Sequence, residues 1–296
     1  MAAALSAAAL LGGCGGRAAP ATKPADAAMQ RSSEAGNLAF TMDRPAEAAA
    51  QYEQALLRAE ARDDAAAIGD YGYDLAVAQL AANQPKKALA SARMTRIELT
   101  RRGLAAFPAL QLVEATALYR LGEHAEAANL ARVVEAGDDP AAAAGASFLL
   151  GLIADEAGDQ AGLEAALARL AQPATREESA DAFELAARRD LRNGDFAAAA
   201  SEAGRAAELR RGDLDYRGMA RALALQGAAE ADAGNSGAAA NLYIRAAQSA
   251  AAQGDPETAR PWLRHALALA NTPALRMLAQ QTLAELANGG EAASRR

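Results

Sequence analysis

A residue that breaks a helical run, with a small residue seven positions before it and an alanine five after, recurs along most of this chain. The breaks fall at Asp43, Asn83, Gly122, Gly158, Gly194 and Gly234. The small residues before them are Gly36, Ala76, Ala115, Gly151, Ala187 and Gly227. After them come Ala48, Ala88, Ala127, Ala199 and Ala239, with Leu163 the one departure. The copy between Pro108 and Pro140 shows what the pattern means. Leu112, Ala115, Leu118 and Tyr119 recur at helical spacing, Gly122-Glu123 interrupts them, and Ala127, Ala131 and Val134 resume. That is a helix, a tight turn and a second helix, with small residues where the two backbones must cross closely. A pair this short cannot bury its own apolar faces, so it has to stack on others of its kind.

Gly36, Ala48, Tyr52 and Ala55, and again Gly227, Ala239, Tyr243 and Ala246, resemble the tetratricopeptide repeat, in which a small residue of the first helix meets an alanine of the second. The resemblance implies an all-α, right-handed superhelical solenoid of about seven antiparallel helix pairs over residues 28–288. The pairs are predicted at 28–42 with 45–61, 64–82 with 85–102, 108–121 with 124–136, 140–157 with 160–171, 176–193 with 196–210, and 213–233 with 236–253. Gly254-Asp255 repeats the turn signal early, so the helix near 237–253 closes the sixth pair or opens another. Helices near 256–270 and 273–288 complete the array, and residues 289–296 are expected to form a disordered polar tail. Pro45, Pro85, Pro108 and Pro140 stand where helices should begin, the position at which a missing N–H costs least.

The N-terminus carries a different signal. Ala2 to Leu11 is a short apolar run ending in Leu11-Gly12-Gly13-Cys14, and Cys14 is the only cysteine. This resembles a bacterial lipobox, although the segment before it holds no Lys or Arg. The resemblance implies a signal peptide over 1–13, lipid attachment at Cys14 and a flexible tether over 14–27. Glycine after the cysteine is compatible with an outer-membrane lipoprotein facing the periplasm; inner-membrane retention, or a cytoplasmic protein with a misassigned start, are the alternatives.

Composition narrows the function. The chain is 52% hydrophobic but 4% aromatic, because much of its apolar content is alanine, a strong helix former that builds only thin interfaces. A net charge of −7 without a basic block argues against nucleic acid as partner. His124 and His265 lie far apart and in no metal-binding spacing, and no phosphate loop, dinucleotide fingerprint or nucleophile elbow is present. No catalytic residue, metal or cofactor is therefore expected. His124 is expected to face water at the start of a helix, and Trp262 to fill a gap between the last helices.

By the resemblance, partners bind in the concave groove lined by the first helix of each pair. The candidate groove positions are Asn37, Tyr73, Tyr119, Arg120, Phe148, Arg188, Arg192 and Arg221, aromatic towards the front and basic towards the back. Such a groove suits an extended peptide or helix with apolar and acidic parts. A second candidate surface is the helix carrying Lys86, Lys87, Arg93, Arg96, Arg101 and Arg102, which the sequence opposes only with Glu98. Together these features suggest a non-catalytic scaffold of the bacterial envelope serving pilus, secretion or outer-membrane assembly. The alternative is an adaptor docking a cell-wall enzyme such as a peptidoglycan hydrolase.

Overall fold

The computed structural model describes residues 26–294, with side chains through residue 287. The expected signal peptide, Cys14 and the tether up to residue 25 lie outside the described residues. Among those described, the chain forms fourteen helices: α1 (Ala27–Thr41), α2 (Pro45–Ala61), α3 (Ala65–Ala81), α4 (Pro85–Arg101), α5 (Pro108–Arg120), α6 (His124–Glu135), α7 (Pro140–Ala157), α8 (Gln160–Arg169), α9 (Arg176–Asn193), α10 (Phe196–Gly212), α11 (Tyr216–Asp232), α12 (Ser236–Ala252), α13 (Pro256–Leu269) and α14 (Pro273–Ser294). Each packs mainly on its neighbours in sequence, which gives seven pairs. The helical backbone of α14 extends beyond Asn288, where the sequence suggests a tail begins.

The helix ends follow from local chemistry. Asp64, Asp139, Asp159, Asp195, Asp215 and Asp255 each accept a hydrogen bond from a first-turn amide of the helix they precede. The turn residues of the recurring frame all take positive φ, from +56° at Asp43 to +84° at Gly234. This left-handed geometry explains why only Gly, Asn or Asp occupies them.

The small positions of the frame are the crossing points of the pairs. All six small residues before the turns and all six residues after them are buried, Leu163 included. At Gly36 an added Cβ would lie 2.7 Å from Cε1 of Tyr52, so glycine is what lets that ring lie flat on α1. Across repeats, the first helices of successive pairs touch: α3 with α5, α5 with α7, α7 with α9 and α9 with α11. The first helices thus line the inner side of the stack and the second helices form its outer ridges.

At the C-terminal end α12 closes the sixth pair and also packs on α13. Trp262, half-buried, lies against the cluster of Leu242, Tyr243, Ile244 and Leu263, the gap-filling role expected of it. His265 stacks on the Tyr243 ring at 5.3 Å between centroids.

Candidate functional site

The inner side is filled from the middle of the chain by one charged cluster. Glu184 of α9 is completely buried, and its carboxylate accepts from Arg188 at 3.1 Å, Arg210 at 2.9 Å and Arg221 at 2.5 Å. Arg210 Nη2 also reaches Asp181 at 2.7 Å, one turn earlier on α9, and Nη1 reaches Asp215 at 2.8 Å. Asp155 of α7 bridges Arg188 and Arg192 at 2.7 and 2.5 Å. The Phe148 ring lies under the guanidinium groups of Arg210 and Arg221, 5.2 and 5.5 Å from its centroid.

Burial alone would raise the Glu184 pKa, but Arg221, Arg210 and Arg188 overcome it and hold the carboxyl well below the usual range. Asp181 has Arg210 as its ion-pair partner and shares it with Glu184. Burial therefore dominates and pushes Asp181 up to about 7, with Arg210 opposing and Glu184 adding.

The eight groove candidates separate into three groups. Phe148, Arg188, Arg192 and Arg221 come together in the cluster just described. Their arginines are already paired with Glu184 and Asp155, which is the correction to the idea of a freely basic rear groove. Tyr119 lies beside them: its hydroxyl donates to Glu156 at 2.5 Å, and burial, then Glu156, push its pKa up. His124 packs on the Tyr119 ring at 5.4 Å and its Nδ1 lies 3.5 Å from Glu156. It is thus part of this group and does not simply face water. Asn37 and Tyr73 stand apart. Asn37 accepts from the Tyr52 hydroxyl at 2.7 Å within its own pair, and Tyr73 meets Phe107 edge-on at 5.7 Å.

Arg120 makes a third arrangement that links distant repeats. It donates to the Leu80 carbonyl at 2.6 Å and to Asn83 Oδ1 at 2.5 Å, in the turn after α3. The same turn reaches the far end of the stack, where Asn83 Nδ2 donates to the Gly254 carbonyl at 3.2 Å and Arg217 Nη2 to the Ala81 carbonyl at 3.5 Å. Arg217 in turn pairs with Asp255 at 2.9 Å. Burial, then the like charge of Arg217, lower Arg120 to about 10. The second and the sixth-to-seventh repeats therefore meet across the inner side through a thin polar seam.

The basic face on α4 also needs correction. Arg93 and Arg96 both pair with Glu114 of α5, Arg93 also with Glu126, and Arg102 with Glu98 and Asp63. Only Lys86 and Lys87 of that face have no ion pair among the described residues.

The residues sequence reasoning missed are the anions: Asp155, Asp181 and Glu184, together with Arg210. A signal was present, because Asp181, Glu184 and Arg188 share a helix face with the core residues Ala180, Leu185 and Ala187.

No protein-family model and no curated protein matches this chain. Among solved structures, a Rap protein complexed with Competence and Sporulation Factor matches 87% of this chain and 76% of its own at 15% identity, with a TM-score of 0.51. The fold is a tetratricopeptide repeat solenoid. A tetratricopeptide repeat protein from Parabacteroides merdae aligns over 86% of this chain and 99% of its own, at 18% identity and a TM-score of 0.45. In tetratricopeptide terms, the first helices α5, α7, α9 and α11 supply every member of this group except Arg210 of α10, Asp215 at the cap of α11 and His124 of α6.

Proposed function

We propose that this chain is a non-catalytic scaffold that binds a protein partner on its concave face, anchored to the bacterial envelope through Cys14. The observation that carries the scaffold reading is the face built by Tyr119, Phe148, Arg188, Arg192 and Arg221, to which the third to sixth repeats each contribute side chains from their first helix. The Rap structure, which has the same fold, holds a bound factor, in keeping with that use of the fold. Because the arginines are internally paired, the partner meets a nearly neutral surface with aromatic and hydrogen-bonding character. Extended peptides or helices with apolar anchors suit it better than strongly acidic ones. The seam between Asn83 and Gly254 borders this face through Arg120, next to Tyr119, and Arg217, one turn before Arg221.

The test is a photo-crosslinker placed at Tyr119 and, as control, at exposed Val133 on α6. A protein adduct from the first position and none from the second is expected in envelope fractions. No adduct from Tyr119 would remove the concave-face reading.

The envelope part rests on the Leu11-Gly12-Gly13-Cys14 sequence. Outer-membrane lipoproteins assisting pilus, secretion or membrane assembly share this anchor-and-repeat layout, as would an adaptor for a cell-wall hydrolase. Cys14→Ser is expected to move the protein from the membrane to the soluble fraction, read by fractionation and by the mass of the mature N-terminus. Unchanged membrane association, or a mature chain with unmodified Met1, overturns the anchor and leaves the scaffold intact.

A further inference from the structure

The outer ridges divide into two halves at one position of the repeat frame. Eleven residues after each turn residue stand Gln54, Met94, Val133, Arg169, Arg205 and Arg245. All six are exposed. Met94 and Val133 are large exposed apolar residues, while the fourth, fifth and sixth repeats carry an arginine each, in register on α8, α10 and α12.

These arginines differ from those of the inner side in being largely unpaired. Arg169 and Arg245 have no ion-pair partner among the described residues. Arg205, with 57% of its side chain exposed, reaches only Glu202, at 3.4 Å. The other acids of these helices are Glu164, which Gln160 contacts, and Glu208, which pairs with Arg211. On α12, Arg245 is the only charged residue.

Arg205 and Arg245 also border one open cleft of about 610 Å³ between α10 and α12. Its apolar surface comes mainly from Phe183, Leu209, Leu223 and Leu242, Ser201 and Gln226 add hydrogen-bonding groups, and Glu208, its charge met by Arg211, also lines it. The Arg205 guanidinium lies over the Phe183 ring at 3.7 Å, which fixes it at the border of the cleft; Nη1 reaches Glu202, and an anion would meet the remaining N–H groups.

We propose that the outer faces of α8, α10 and α12 form a second docking surface, for an acidic segment of a protein partner. One apolar side chain of the segment occupies the cleft, and carboxylates on either side meet Arg205 and Arg245, with Arg169 extending the row. Charge complementarity selects the occupant: bidentate arginine recognition matches carboxylates. A cleft with an apolar floor suits a side chain better than a phosphate backbone, and a net charge of −7 disfavours a long polyanion. This surface is separate from the concave face and does not depend on it.

The probe is a fluorescein-labelled synthetic helix with leucines along one stripe and glutamates flanking them, titrated with the full chain and read by anisotropy. Replacing Arg169, Arg205 and Arg245 together by glutamine is expected to weaken binding about tenfold or more and to flatten its salt dependence. The triple lysine variant, which keeps the charge and loses the fork geometry, should fall between the two. Thermal melts establish that the variants fold, since all three positions are exposed. The proposal is overturned if the glutamate probe binds no better than its glutamine counterpart, or if the triple glutamine variant binds as the parent does. It is equally overturned if phosphatidylglycerol vesicles capture the parent chain through these arginines while the peptide does not, which would make the row a lipid-facing surface.

Discussion

Replacing Glu184 with glutamine lowers the unfolding free energy by about 3–5 kcal/mol and the midpoint of thermal unfolding by on the order of 10 °C. The substitution keeps the volume but removes the one fully buried charge on which Arg188, Arg210 and Arg221 converge. Three guanidinium groups from α9, α10 and α11 then lose their common counter-ion at once, and uncompensated buried charge costs far more than a lost surface pair. Far-ultraviolet circular dichroism during heating measures the effect; a midpoint unchanged within about 2 °C would show that the cluster is not a structural keystone. The same cluster fixes a pH dependence with two limbs. Glu184 is depressed in the folded state, so its contribution is present above the unfolded carboxylate value and is lost as the solution becomes more acidic. Asp181 is raised to about 7, so the folded chain binds its proton more tightly than the unfolded chain does. Its contribution is present below about 4 and is lost as pH rises through 7. Asp181→Asn, neutral at every pH, is expected to flatten the decline between pH 4 and 7 while leaving the acid limb in place.

Leu185→Ala costs about 2–5 kcal/mol, and a second substitution recovers part of it. Leu185 is fully buried on α9 in a cluster with Leu152, Leu163, Ala166 and Leu170. It sits directly over Gly151 of α7: an added Cβ there would clash with both Leu185 methyl groups and lie 3.1 Å from Ala166 Cβ. In the parent protein Gly151→Ala therefore meets overpacking, which offsets the gain of about 1 kcal/mol from replacing a helical glycine. Once Leu185 is truncated the space exists, the clash is gone and the helical preference is expressed. The double variant is expected to be more stable than Leu185→Ala alone, with a coupling of about 1–2 kcal/mol between the sites. Strict additivity in chemical denaturation would show that the α7–α9 contact is looser than the side-chain positions indicate.

The fold was legible because its determinants are local. Positive-φ turns admit few residue types, so Asn83 or Gly122 marks a turn wherever it stands in the frame. Close helix crossings demand a small side chain on one member, so Gly36 and Ala48 mark a pair without any knowledge of its neighbours. The candidate site was only half legible. Tyr119, Phe148, Arg188, Arg192 and Arg221 were reached because first-helix positions fall on one side of every tetratricopeptide pair. Which cations are free could not be read, because neutralisation depends on carboxylates from other repeats: Glu114 reaches back to Arg93 and Arg96, and Asp155 forward to Arg188 and Arg192.

The sequence by itself determined the helices, their pairing and the order of the stack, since each follows from contacts within about forty residues, the length of one repeat. Only the tertiary structure decided what the two faces present. Packing of α9 against α10 and α11 brings Arg210 and Arg221 to Glu184, beside Arg188 of its own helix, and curvature of the stack brings Asn83 into reach of Gly254, 171 residues away. The assembly thereby neutralises the inner face and leaves Arg169, Arg205 and Arg245 open on the outer one. Charge is long-ranged and pairs across elements, so its balance at any position is a property of the assembled superhelix and not of the repeat that supplies the residue.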